Sequence, residues 1–144
     1  MPGFELFGAD ERKSVSEVLD TGVLMRYGFD SMRKDRWKAL ELEAGLARRM
    51  QTRHAHLVSS GTAALTVAMA STGVGAGDEV ILPTFTFVAS FEAVLALGAI
   101  PVLCDIDDTL TLDPKAVRKA ITPATRVIMP VHMCGSMADL RALQ

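Results

Sequence analysis

The chain has 144 residues, 49% of them hydrophobic and 22% charged, with a formal net charge of −2. That is about one domain's length with enough apolar side chain for a core, which excludes a disordered acidic tail. No Lys/Arg-rich run occurs, since Arg33-Lys34-Asp35-Arg36 is interrupted by acid, so nucleic acid is not an expected partner.

The opening Met1-Pro2-Gly3-Phe4-Glu5-Leu6-Phe7-Gly8 lacks the basic start and apolar core of a signal peptide, and no apolar run approaches a membrane span. A cytoplasmic protein without membrane contact is the expectation. From Asp10 to Asp20, Val15, Val18 and Leu19 recur at helical spacing, with Asp10 placed to cap and Gly22 just past the end. The irregular stretch Val23–Asp30 comes next, in which Arg26 and Tyr27 stand beside Gly28. It suits either a loop that meets a ligand or partner subunit or a packed connector. Asp35–Gln51 reads as an amphipathic helix with Trp37, Leu40, Ala44 and Ala47 on one stripe. Trp37 is expected to anchor a core or a subunit interface.

At His54 the pattern changes, which divides the chain into N-terminal helices and loop (1–53) and an α/β segment (54–144). Four short apolar runs begin at His56, Glu79, Ile100 and Arg126, with helical segments between them. Strand starts roughly 20–25 residues apart suit strand-helix-strand units and a mostly parallel sheet with flanking helices. The segment Gly61–Thr72 is apolar nearly all round and is expected to be buried. Phe87, Phe91, Val94 and Leu95 are expected to form the inner face of a second helix, with Gly98 as its stop. Asp113-Pro114 is a strong helix start, with Val117, Ala120 and Ile121 facing inward. The last run leads through His132-Met133-Cys134-Gly135 to a helix opening at Ser136–Leu140.

Cys104 and Cys134 lie far apart, and no His/Cys ligand spacing occurs, so neither a disulfide framework nor a metal site is expected. The stretch Leu57-Val58-Ser59-Ser60-Gly61-Thr62-Ala63 is the candidate site. A strand tipping through Ser-Ser-Gly-Thr into a helix presents unpartnered N–H groups and the positive end of the helix dipole, a seat for a phosphate. Plain capping by Ser60 accounts for the same residues. Ligands of open parallel sheets sit outside the carboxyl ends of the strands. Phe85 or Phe87 would there lie against the ring of a flat phosphorylated ligand such as pyridoxal phosphate, or pack in the core. Neither dinucleotide-binding nor P-loop glycine patterns are present, which weakens a nucleotide binder.

His54–Leu65, Gly77–Ser90, Gly98–Val102 with Asp105, Ile121–Arg126 and Pro130-Val131-His132 match, in order and spacing, the sugar aminotransferases of the DegT/StrS family, which the chain closely resembles after His54. The resemblance implies the large domain of a fold-type I enzyme dependent on pyridoxal phosphate, working as a homodimer with active sites at the interface. It implies that the main-chain amides of Gly61, Thr62 and Ala63 hold the cofactor phosphate and that Phe87 stacks on the pyridine ring. His132 and Asp105 sit at motif positions without an implied catalytic role. The opening residues, the Arg26–Asp30 loop and His132–Met137 are similar to the subgroup that aminates an octulosonate-like sugar acid, in which Arg26 and Tyr27 would meet the acidic sugar. The implied reaction moves an amino group from a donor such as glutamate to a keto-sugar or sugar aldehyde, of the kind built into cell-surface polysaccharide.

No catalytic residue is expected within the chain. The resemblance implies that the Schiff-base Lys and the Asp on the pyridine nitrogen lie beyond Gln144, and Lys13, Lys34, Lys38, Lys115 and Lys119 occupy no matching position. The expectation is therefore an incomplete, truncated large domain, inactive alone, with an open sheet edge that favours a dimer or swapped assembly. A non-catalytic assembly or binding module on the same half-domain is the alternative.

Overall fold

The computed structural model describes residues 3–144, which form two compact units, Met1–Leu57 and Val58–Gln144. The first holds helices α1 (Ala9–Leu19) and α2 (Lys38–Met50). The cap of α1 is not Asp10 but Gly8, whose N–H donates to Glu11 Oε2 at 2.8 Å. A glutamate reaching back to the cap backbone satisfies a donor that Asp10, already inside the first turn, is badly placed to meet. Helix α2 starts later than Asp35 because Lys34 and Asp35 both take left-handed backbone angles, φ 52° and 59°. Trp37 therefore stands at the helix entrance, with its ring under the Arg33 guanidinium at 4.7 Å.

The second unit runs α3 (Gly61–Ser71), β1 (Glu79–Pro83), α4 (Val88–Leu95), β2 (Ile100–Cys104), α5 (Pro114–Ala120), β3 (Thr125–Ile128) and α6 (Leu140–Leu143). Within the sheet both pairings are parallel and the order is β2-β1-β3, so the first strand of the sheet is its middle one. It reads Glu-Val-Ile-Leu-Pro and is buried from Val80 to Pro83, as a parallel strand covered on both faces must be. Pro101 is tolerated because β2 has an open edge. Side-chain alternation along β1 makes two cores. Val80 and Leu82 pack with Met69, Ala93, Val94 and Met129 on the α3/α4 face. Ile81 packs with Cys104, Leu112 and Val117 on the other.

The α/β class with a parallel sheet and flanking helices is as expected, and several local expectations are corrected. The run at His56 is not a strand. Its Leu57 N–H goes to the Glu43 carboxylate instead of to a neighbouring strand. Helix α3 buries only Met69 fully. Leu65 packs partly against the same core, while Ala64, Val67, Ala68 and Ala70 stay exposed, which an all-round apolar pattern does not reveal. The inner residues of α4 are Ala89, Ser90, Ala93 and Val94, not Phe87 or Leu95. Ile121 closes α5 with an extended backbone and turns outward. The last helix begins at Leu140 rather than Ser136, capped by Asp139 accepting the Ala142 N–H at 3.1 Å. Among the described residues no helix is long and apolar enough to cross a membrane.

Candidate cofactor-phosphate site

From β1 the chain goes to β2 on one side, while β3 lies on the other, so the sheet diverges around the carboxyl end of its middle strand. Such a divergence is where open parallel sheets hold ligands. Thr84–Phe87 leaves β1 there, and the loop after β3 is held by His132, whose Nδ1 accepts the Ala138 N–H at 3.0 Å. Beyond β2, the Asp105 carbonyl accepts the Asp113 N–H at 3.1 Å, and Asp113 in turn caps α5 by accepting from Lys115 N–H at 2.8 Å.

The turn into α3 both caps and leaves donors open. Ser60 is extended (φ −161°), its Oγ accepts the Ala63 N–H at 3.1 Å and its carbonyl accepts the Ala64 N–H at 3.0 Å. Ala63 thus already has an acceptor in this structure. The N–H groups of Gly61 and Thr62 have none among the described residues, and they stand at the positive end of the helix dipole. Capping and anion binding therefore use different donors of one turn.

Gly61 has no internal reason to be glycine. Its φ is not positive, and a Cβ built on it would meet nothing within 4 Å. Neither strain nor crowding among the described residues demands the missing side chain, as is also true of Gly45 and Gly75.

Phe87 precedes α4 with extended angles, φ −70° and ψ 141°, and its ring is 72% exposed. Its backbone is nonetheless fixed. The Phe87 carbonyl accepts the Ser90 N–H at 3.0 Å, and Thr86 Oγ1 and Ser90 Oγ lie 2.8 Å apart. A large aromatic held outside the core on an ordered turn is suited to stacking. Phe85 is less exposed.

Arg26 and Tyr27 belong to the first unit. With Gly28, Asp30, Trp37 and Leu40 they line a cavity of about 350 Å³. Arg33 braces the loop by donating from Nε to the Gly28 carbonyl at 2.8 Å and from Nη2 to the Met25 carbonyl. Tyr27 is exposed, whereas Arg26 is engaged on one side, its Nη2 2.7 Å from Glu43 Oε1 and 3.2 Å from His56 Nδ1. The Arg26 guanidinium, and next the Leu57 N–H, hold the Glu43 carboxyl below its usual range. Sequence reasoning passed over Glu43. The signal available was an acid on the apolar stripe of α2, one turn from both Leu40 and Ala47.

A profile of the DegT/DnrJ/EryC1/StrS aminotransferase family matches residues 7–144. The chain belongs to this family. It is 42% identical over 143 residues to the 3-amino-5-hydroxybenzoate synthase of Amycolatopsis mediterranei, covering 99% of this chain and 35% of that relative. Among solved structures it resembles DesV of S. venezuelae (TM-score 0.85, 40% identity, 98% of this chain and 36% of the other). It also resembles NtdA of Bacillus subtilis, solved with bound cofactor PMP (TM-score 0.83, 33% identity, 99% and 32%). The chain spans about a third of the length of the curated relatives it matches.

A phosphorylated cofactor fits the residues present. Two open N–H donors, a dipole of the right sign and a glycine whose missing Cβ leaves clear space are what an anion would need at Gly61-Thr62. Among the described residues no group of three His, Cys, Asp or Glu is arranged to hold a metal ion.

Proposed function

We propose that this chain is the cofactor-phosphate-holding portion of an aminotransferase dependent on pyridoxal phosphate, acting on a keto-sugar or sugar aldehyde with an amino acid such as glutamate as donor. Family membership supports the reaction class and the cofactor. The observation that carries the site is the pair of open N–H groups at Gly61 and Thr62, beside a glycine whose missing Cβ leaves clear space.

When bound, pyridoxal phosphate supplies an electron sink for the carbon that carries the amino group. The residues of this chain bind and orient. Gly61, Thr62 and the Ala63 end of the turn would hold the phosphate, with Ala63 joining only if Ser60 yields its bond. Phe87 would lie against the ring and shield that face from water. Arg26 and Tyr27 are assigned to the sugar, with an octulosonate-like sugar acid as the finer assignment; Glu43 already pairs with one edge of Arg26, so an acid would meet its free edge. None of these groups moves a proton. The chain alone is therefore assigned binding without turnover, in the cytoplasm. A homo-oligomer is part of the same proposal and rests on family membership.

Titration of the chain with pyridoxal phosphate and with unphosphorylated pyridoxal, followed by absorbance and dialysis, tests this reading. Phosphate-dependent retention by about ten-fold or more is expected. Equal, weak binding of both compounds would sink it and favour an assembly module instead.

A further inference from the structure

In the second unit, α3, α5 and α6 each begin at a residue whose side chain accepts a backbone N–H of the first turn, namely Ser60, Asp113 and Asp139. Helix α4 does not. Its N-cap is Phe87, which has no side-chain oxygen to offer, and no side-chain cap hydrogen bond is formed. A large apolar side chain thus stands where helix starts favour Ser, Thr, Asp or Asn, and its ring is left outside the core. Neither local propensity nor packing explains this choice, and conflicts of that kind gather at functional positions.

A pair of hydroxyls flanks the missing cap. Thr86 Oγ1 and Ser90 Oγ lie 2.8 Å apart, and Thr86 Oγ1 is 3.4 Å from the Phe87 carbonyl oxygen, which also accepts the Ser90 N–H at 3.0 Å. Ser90 is buried in the first turn of α4, while Thr86 is half-buried in the turn after β1. The Phe87 backbone is therefore tied from the residue before it and from the helix after it, inside a single helical turn. An aromatic on a backbone fixed in advance loses less freedom when a ligand ring settles on it than one on a free loop.

We propose that Thr86 is a positioning residue for Phe87, its hydroxyl pairing with the buried Ser90 hydroxyl to hold the Phe87 backbone with the ring ready for the pyridine face of the cofactor. This role rests on the cofactor reading above. It requires the hydroxyl of residue 86 and not its bulk. Thr86→Val keeps the shape and removes the hydroxyl, and Ser90→Ala breaks the same pair from its buried side. Thr86→Ser keeps the hydroxyl and drops the methyl.

Two probes separate ring from phosphate on the full chain: pyridoxine phosphate, which carries both, and methyl phosphate, which carries only the anion. Their affinities are read by calorimetric titration. General loosening of the fold weakens both probes together, whereas a released Phe87 ring weakens only the first. Thr86→Val and Ser90→Ala are each expected to lower the ratio of affinities about three-fold or more, by no more than Phe87→Ala does, with methyl phosphate binding unchanged. Thr86→Ser is expected to keep the wild-type ratio. On a Phe87→Ala background, Thr86→Val should change the ratio by less than about two-fold, because the ring it positions is gone. A wild-type ratio in either Thr86→Val or Ser90→Ala, a loss in Thr86→Ser as large as in Thr86→Val, or a full further loss on the Phe87→Ala background would overturn the role of Thr86 while leaving stacking by Phe87 in place. A wild-type ratio in Phe87→Ala alone removes the stacking and, with it, the role of Thr86.

Discussion

Asp78 Oδ1 meets Arg126 Nε at 3.2 Å across the start of the sheet, while Asp78 Oδ2 accepts the Gly75 N–H at 2.9 Å. One carboxylate therefore closes the turn before β1 and touches the strand beside it. The Gly75 N–H is the larger influence and Arg126 a smaller one, and together they hold the carboxyl below its ordinary value of 3.8 against the opposing effect of burial. A carboxyl depressed in the folded state contributes stability that is present above 3.8 and is lost as pH falls through the folded value. An acid titration of ellipticity should show Asp78→Asn less stable than wild type at neutral pH, with the difference closing below pH 3.8. Arg126→Ala should alter the profile less, because Arg126 is largely exposed. An equal effect of both substitutions would show that the ion pair outweighs the turn.

Gly61→Ala separates folding from binding. The added methyl enters open space at a helix start with ordinary backbone angles. Thermal stability should hold or rise by up to about 1 kcal/mol. Affinity for pyridoxal phosphate should fall about ten-fold. A destabilised Gly61→Ala chain would mean that glycine serves the fold, and close approach by a ligand would lose its support.

Phe87→Ala should leave stability within about 0.5 kcal/mol, since the exposed ring contributes little to the core. Stacking is worth about 0.5–1.5 kcal/mol, so cofactor affinity should drop roughly two- to ten-fold. Calorimetry and absorbance titration read the two effects. A large stability loss would return Phe87 to the core.

Trp37 carries a buried Nε1–H with no acceptor among the described residues. A buried donor left unmade costs about 1–3 kcal/mol. Trp37→Phe removes it and keeps an aromatic face for Arg33, so the melting temperature, followed by circular dichroism, should hold or rise. A fall of more than about 1 kcal/mol would show that the indole N–H finds a partner in solution.

What could be read from the sequence was what local chemistry decides. Asp113-Pro114 starts α5 as a cap and first helical residue do anywhere, and the three strands of the sheet announce themselves as short apolar runs bounded by turns. Ser60 was legible as a cap for the same reason. What escaped depends on distant partners. His56-Leu57-Val58 looks like a strand, but among the described residues no strand pairs with it and Glu43 takes the Leu57 N–H. Apolar residues all round α3 imply burial only if something covers every face. The outward ring of Phe87 comes from the extended backbone ahead of α4, which no periodicity encodes. Glu43 hid on an apolar stripe because its partners come from before and after its own helix.

The middle position of β1 also bears on the order of assembly. Since β1 emerges first and must be flanked on both sides, the sheet cannot grow from an edge inward. Pairing with β2 closes the shorter loop, and pairing with β3 closes one about two and a half times as long, at an added entropic cost of about 0.8 kcal/mol. Amides of the β1–β2 ladder should then gain protection before those of β3 in pulse-labelled refolding. In a chain emerging from the ribosome, the half of the sheet that carries Phe87 would form while β3 and its loop are still unpaired.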